Sequence, residues 1–151
     1  MRLPRAVRAR FRREGRRGGQ ERARRLSAHE RETIARRAAI RRWVNVRFGA
    51  PRFDDLGLPG GALVDRGLDD LAAGEETAES LAVSLAAPRL RREGVPLPSR
   101  TLPDADRRLY RLLERAHGDL AHARWLAHLR QVASFADACR LFRRSRRRRA
   151  R

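Results

Sequence analysis

At 151 residues, 41% apolar and 5% aromatic, the chain is long enough for one modest domain with a core mainly of Leu, Ala and Val. It holds 37 arginines and no lysine, for a formal net charge of +19. The missing lysine excludes a Walker-type phosphate loop, a Schiff base and lysine-bearing kinase or nuclease centres, and the single Cys139 excludes an intramolecular disulfide and a multi-cysteine metal cage.

The charge is uneven along the chain. Residues 1–52 carry 18 arginines against 4 acids, residues 53–88 carry 1 arginine against 8 acids, and residues 138–151 carry 8 arginines and no acid. Such a field attracts nucleic acid or an anionic membrane surface and says little about fold. The absence of lysine beside abundant Ala, Gly and Pro also fits the codon bias of a GC-rich bacterial genome, so two explanations of the arginines stand side by side. No run approaches the roughly 18 apolar residues of a spanning helix. A secretory signal core is missing from the first residues, and the lone cysteine fits a reducing cytoplasm.

In chain order, residues 1–26 read as a basic arm, disordered or conditionally helical, because like charges repel and Gly15, Gly18 and Gly19 interrupt any helix. Leu3, Val7 and Phe11 stand at helical spacing as in an organellar transit peptide, although Glu14 and the lack of hydroxyl residues argue against one. A start codon set too early in GC-rich DNA is a further origin for such an arm. Ser27-Ala28-His29-Glu30 has the form of a capping box and predicts a basic helix over 28–42. Its arginines and apolar residues do not segregate on a wheel, which suits an exposed rod. Trp43-Val44-Asn45-Val46-Arg47-Phe48 alternates and predicts a short strand. A strand before a helix is similar to the ribbon-helix-helix repressors, which pair that strand across a dimer; here residues 49–61, rich in Gly and Pro, interrupt the order.

The helical signal strengthens from residue 62. A helix over 62–73 places Leu63, Val64, Leu68 and Leu71 opposite Asp65, Asp69 and Asp70, and Gly74 stops it. Thr77 caps a helix over about 78–92, apolar on two sides and kinked or split at Pro88. Val95-Pro96-Leu97-Pro98 is an extended connector. Thr101-x-x-Asp104 opens a helix to about 117 whose Leu102, Ala105, Leu109, Leu112, Leu113 and Ala116 form one stripe. Beyond the Gly118 corner, Asp119 caps a final antiparallel helix to about 140 that buries Trp125, Leu126, Leu129, Val132, Ala133, Ala136 and Cys139. Residues 143–151 are a basic tail without means of packing. The expected fold is all-α: a small irregular bundle of about four to five helices over 43–142, a basic helix at 27–42, and disordered arms at 1–26 and 143–151.

Several constellations invite chemistry. Gly57-Leu58-Pro59-Gly60-Gly61 before a helix has the look of an anion-cradling loop, but without a preceding strand or a lysine it reads as a plain turn. Asp65, Asp69, Asp70, Glu75, Glu76 and Glu79 offer either divalent-cation ligands or a solvated acidic face that docks arginines of this chain or a neighbour. His117, Asp119 and His122 at one corner offer a small polar site or, more simply, a capping aspartate and a core histidine. Arg111-x5-His117 resembles the Arg-x(4–6)-His pattern of the helical HEPN ribonucleases, as does Arg24-x4-His29. The resemblance implies a metal-independent ribonuclease in which the pair, assembled across a dimer, positions and protonates the scissile phosphate.

The basic segments remain. Guanidinium forks bind phosphate bidentately and stack on bases. The candidate nucleic-acid-binding residues are Arg12, Arg13, Arg16, Arg17, Arg24, Arg25, Arg36, Arg37, Arg41, Arg42, Arg143, Arg144, Arg146, Arg147, Arg148 and Arg149. Base-stacking aromatics are not interleaved with them, so the expected mode is phosphate-dominated and indifferent to sequence, on RNA or DNA. The sequence thus points to a non-enzymatic, nucleic-acid-associated or adaptor protein with no cofactor or metal. The alternative is a partner-binding, antitoxin-like or self-associating bundle without nucleic-acid affinity.

Overall fold

The computed structural model of the protein describes residues 4–149, less the side chains of Arg22, Ala23, Arg146, Arg147 and Arg149. The fold is all-α, and no strand occurs among the described residues. The chain divides into two units, residues 1–35 and 36–151. The first holds α1 (Arg5–Arg25) and the opening of α2 (Ala28–Phe48). The second holds the rest of α2, then α3 (Gly61–Ala73), α4 (Ala78–Leu85), α5 (Ala87–Arg92), α6 (Ala105–His117) and α7 (Ala121–Arg149).

In the first unit, α1 is helical through all three of its glycines. Every described side chain along it is exposed. This fits the expected conditionally helical arm. With no buried face to hold it, such a helix is conditional, since isolated helices are marginal in water and each interior glycine costs about 1 kcal/mol. Leu3, the first member of the transit-peptide spacing, lies outside the described residues. The capping box at α2 forms as its sequence predicts: the Glu30 amide donates to Ser27 Oγ and the Ser27 amide to Glu30 Oε2 at 2.7 Å. These bonds hold the Glu30 carboxyl below its ordinary range.

In the second unit, the strand expected over 43–48 is instead the last part of α2. Val44 and Phe48 are buried while Val46 is 79% exposed. Six residues with apolar side chains at 44, 46 and 48 satisfy a period of two, but the 44–48 pair equally satisfies i, i+4, and half-buried Ile40 one turn earlier extends the helical stripe. No partner strand occurs among the described residues to reward the other choice. Residues 28–42, read as an exposed rod, are mostly exposed, with Ile40 half-buried against the core that Val44 and Phe48 enter.

That core has an aromatic centre that composition did not suggest. Phe53 stacks edge-on against Phe48 at 5.0 Å and against Phe135 at 4.8 Å, and Phe142 lies 6.0 Å from Phe48. Phe48, Phe53 and Phe135 are the largest fully buried side chains, and leucines and valines of α3, α4, α5 and α6 surround them. Phe53 belongs to an irregular segment, and Asp65 fixes it there. The buried Asp65 carboxylate accepts the Phe53 amide at 3.1 Å and the Asp54 amide at 2.9 Å. Asp65 was expected on the solvated face of its helix; it is turned inward because these two backbone donors need an acceptor.

α3 and α4 cross so closely that a β-carbon at Gly67 would lie 2.6 Å from the Glu79 carbonyl oxygen. Thr77 and Ser80 cap α4 reciprocally. Pro88 divides the expected 78–92 helix into α4 and α5, standing in the first turn of α5 where no intrahelical donor is lost. The box expected at Thr101 does not form: α6 starts at Ala105, and Asp104 stands before it in a left-handed conformation without a side-chain cap. Gly60, at the loop that resembles an anion cradle, has φ of 74° and faces the Gln131 carbonyl of α7 at 2.5 Å from its would-be β-carbon. Close packing accounts for that glycine.

α7 is longer than expected, and a short 3-10 turn at Gly118–Leu120 precedes it. Val132, Phe135, Ala136 and Cys139 are buried, whereas Trp125, Leu126, Leu129 and Ala133 are only half-buried. The helix continues past 143 to Arg149, and Arg143 donates to Glu93 at 3.1 Å and to the Arg92 carbonyl at 2.8 Å.

Three outcomes follow. Asp65→Ala strands two backbone donors and is expected to lower unfolding free energy by roughly 2–4 kcal/mol, Asp65→Asn by less, in denaturant titrations. Burial pushes the Asp65 carboxyl above its ordinary value, against the pull of the two amides and Arg52. The folded state thus holds this proton more tightly than the unfolded one, so its stability contribution falls as pH rises from about 4 through the raised pKa. The gap between wild type and Asp65→Asn should therefore be wider at pH 4 than at pH 7. Burial, with Glu93 nearby, likewise pushes the Cys139 thiol up to about 12. A thiol reagent at pH 8 should leave the native protein unlabelled and label it fully after unfolding.

Candidate nucleic-acid interface

The helical state of residues 5–25 sorts their charges. At about 100° per residue, Arg5, Arg8, Arg12, Arg13, Arg16, Arg17 and Arg24 fall on one half of α1. The other half bears Val7, Phe11, Glu14 and Glu21. Both acids sit there with arginines of their own, Arg10 to Glu14 and Arg25 to Glu21, each at 2.9 Å and four residues apart. The basic half thus has no carboxylate within it. Over a length of roughly 31 Å it presents a one-signed row of guanidinium groups to solvent.

The remaining candidate arginines divide by their partners. Arg37 donates to the Asp69 carbonyl at 3.0 Å, and Arg41 pairs with the Asp69 carboxylate at 3.1 Å. Arg143 is tied to Glu93 as described. Arg25 is paired on the acidic side of α1. Arg36 lines a groove of the second unit. Arg42, Arg144 and Arg148 are exposed. The side chains of Arg146, Arg147 and Arg149 lie outside the described residues. Of the sixteen candidates, then, Arg12, Arg13, Arg16, Arg17 and Arg24 share one face, joined by Arg5 and Arg8, which the sequence reading passed over. Only helical periodicity applied through the three glycines could have found that face.

The acids of the second unit are distributed among separate tasks rather than gathered. Asp65 caps backbone amides, Asp69 holds Arg41, and Asp70 accepts the Thr77 hydroxyl at 2.6 Å. Glu79 pairs with Arg66, Glu76 with Arg108, and Asp137 with both Arg89 and Arg140. No group of three or more candidate metal ligands occurs among the described residues.

The histidine corner does not form a pocket. His117, Asp119 and His122 are all exposed. His122, expected in the core, instead stacks on Trp125 at 5.7 Å, and the Trp125 indole donates to Asp106 at 2.9 Å. Arg111 and His117 are both exposed on α6, about 120° apart around the helix axis. Arg111 and His117 therefore point away from one another within one chain. His29 stands in the first turn of α2, exposed.

Comparison with protein-family models, with curated proteins and with solved structures finds no match to this chain.

The sorted face requires α1 to be helical when it binds. A β-carbon at Gly15, Gly18 or Gly19 meets nothing within 4 Å. Changing all three to alanine adds about 2–3 kcal/mol of helix propensity. The triple variant is expected to show more helix by far-UV circular dichroism and to bind duplex DNA about three- to tenfold more tightly, with no contact added. Unchanged or weaker binding would mean that the arm acts as an extended chain.

Proposed function

We propose that the protein is a non-enzymatic nucleic-acid-associated protein that grips the phosphate backbone through the basic half of α1. The observation that carries this reading is the segregation of α1: seven exposed arginines on one half, with both acids and their paired arginines on the other. Arginine suits the task because its planar fork meets two phosphate oxygens at once and stays charged at any working pH. A helix with its side chains is about as wide as the B-DNA major groove, and duplex phosphates are spaced closely enough for several guanidinium groups to engage together.

The mode this supports is sequence-indifferent. The aromatic on α1, Phe11, lies on the half opposite the arginines, so base stacking is not combined with phosphate contact. In the second unit Arg42, Arg144 and Arg148 are also exposed. Folding of α1 onto the polyanion would offset like-charge repulsion among the arginines, as in other basic segments that order on binding.

Binding to labelled duplex DNA and to RNA over a salt series tests the reading. Engagement of five to seven phosphates predicts a log–log slope of about −4 to −6 on duplex DNA. Two duplexes of unrelated sequence should bind alike. A slope near zero, or no binding near physiological salt, would make the arginines a feature of composition and leave partner binding as the activity to pursue.

A further inference from the structure

The second unit carries a groove of about 840 Å³ that the nucleic-acid reading does not use. Its walls come from α2 (Ala39, Ile40, Trp43), from the end of α3 at Leu71, and from the extended connector with Val95 and Leu97. The connector is held open as one wall. The Val95 amide donates to the Leu90 carbonyl, the Leu102 amide to Ser84 Oγ, and the Pro98 carbonyl accepts from Arg91. Two prolines keep it from folding into the trough.

Three features define what fits. The floor is apolar and partly solvent-exposed, with Trp43 47% exposed. No acid lines the groove; its charged residues are Arg36, Arg91 and Arg100. None of its polar side chains is buried to orient a small molecule, since Ser99 is exposed and Thr101 half-buried. Bases find little there either: the groove's one aromatic ring already has Arg47 over it at 5.2 Å. An amphipathic helix is the remaining match, its apolar side chains at i, i+3, i+4 and i+7 in the trough. Charge selects its flanks. Among the exposed apolar side chains outside the groove, Val7, Phe11, Ile34, Val46, Tyr110 and Leu141 all sit on arginine-rich helices, and Leu120 stands in a three-residue turn too short to dock as a helix. The arginine rim repels those helices, which disfavours a second copy of the chain as occupant.

We infer that this groove docks an amphipathic helix with acidic flanks belonging to a partner protein. The chemistry of recognition is apolar anchors against Ile40, Trp43 and Leu97, with carboxylates against the arginine rim.

The test uses the full-length chain with Trp125→Phe, so that Trp43 is the sole fluorescent indole. The probes are three synthetic peptides: an acidic amphipathic helix of leucines and glutamates, a scramble of equal charge without an apolar face, and the same helix with lysine for each glutamate. Binding is followed by Trp43 emission. The acidic helix should shift that emission to the blue and bind at least about tenfold more tightly than either control. Ala39→Glu, at an exposed groove position, and Arg100→Glu should each weaken it by about tenfold or more. Neutralising Arg12, Arg13, Arg16 and Arg17 should leave the Trp43 response intact, which separates the groove from α1. Equal binding of the scramble, indifference to Ala39→Glu and Arg100→Glu, or a Trp43 response to single-stranded RNA but not to the acidic helix would each overturn the proposal. Because the readout is local to Trp43, its failure leaves the nucleic-acid reading of α1 standing, and the converse holds.

Discussion

Eighteen acids cannot neutralise 37 arginines, and the placement of those few carboxylates decides what every cation in the molecule is for. In the second unit most are bound to a structural purpose. Asp69 restrains α2 through Arg41, Glu76 and Glu79 tie α6 and α3 to neighbouring segments, Glu93 holds Arg143, and Asp137 bridges Arg89 and Arg140. Ion pairs at or near the surface contribute little individually. Their larger effect is on the field: they neutralise arginines that would otherwise compete for polyanions. On α1 the two acids do the reverse, drawing Arg10 and Arg25 to one side and leaving the other side purely cationic.

Asp65 is the exception that serves the core directly. Its carboxylate satisfies two backbone donors in the segment that delivers Phe53, and Phe53 joins Phe48 to Phe135. Through these three rings the irregular segment, α2 and α7 meet. The same arrangement sets the wall of α2 on which Ile40 and Trp43 line the groove. One inward-facing acid therefore supports both the packing of the unit and the shape of its apolar surface.

Helices whose apolar side chains recur every three or four residues were legible in the sequence: α3, α6 and the capped start of α4 fall within a few residues of their expected bounds. The failures have physical causes. Val44-Asn45-Val46-Arg47-Phe48 is too short to separate a period of two from one of four, and only the burial of Ile40, one turn earlier, decides it. Asp65 looked like a surface acid because an isolated wheel cannot show backbone amides arriving from residues 53 and 54. Phe53 and Phe135 were overlooked because one lies outside any periodic segment and the other deviates from the apolar stripe assigned to α7. Within the candidate interface, the type of residue was legible and its arrangement was not. A basic arm reads as disorder until helical geometry is imposed, and then seven arginines fall on one face. The groove was invisible for a different reason: α2, α3 and the connector are far apart in sequence, and no local pattern announces that they enclose a space.

The most direct test of the account removes equal charge from two places. One variant changes Arg5, Arg8, Arg12 and Arg16, all on the basic half of α1, to glutamine. The other changes Arg66, Arg89, Arg108 and Arg140, all paired with acids of the second unit. Both proteins carry the same net charge. Measured on one duplex at one salt concentration, the first should lose at least about tenfold in affinity, while the second should stay within about twofold of wild type. Equal losses in the two variants would show that net charge alone governs binding and would contradict the claim that carboxylate placement selects the arginines that act.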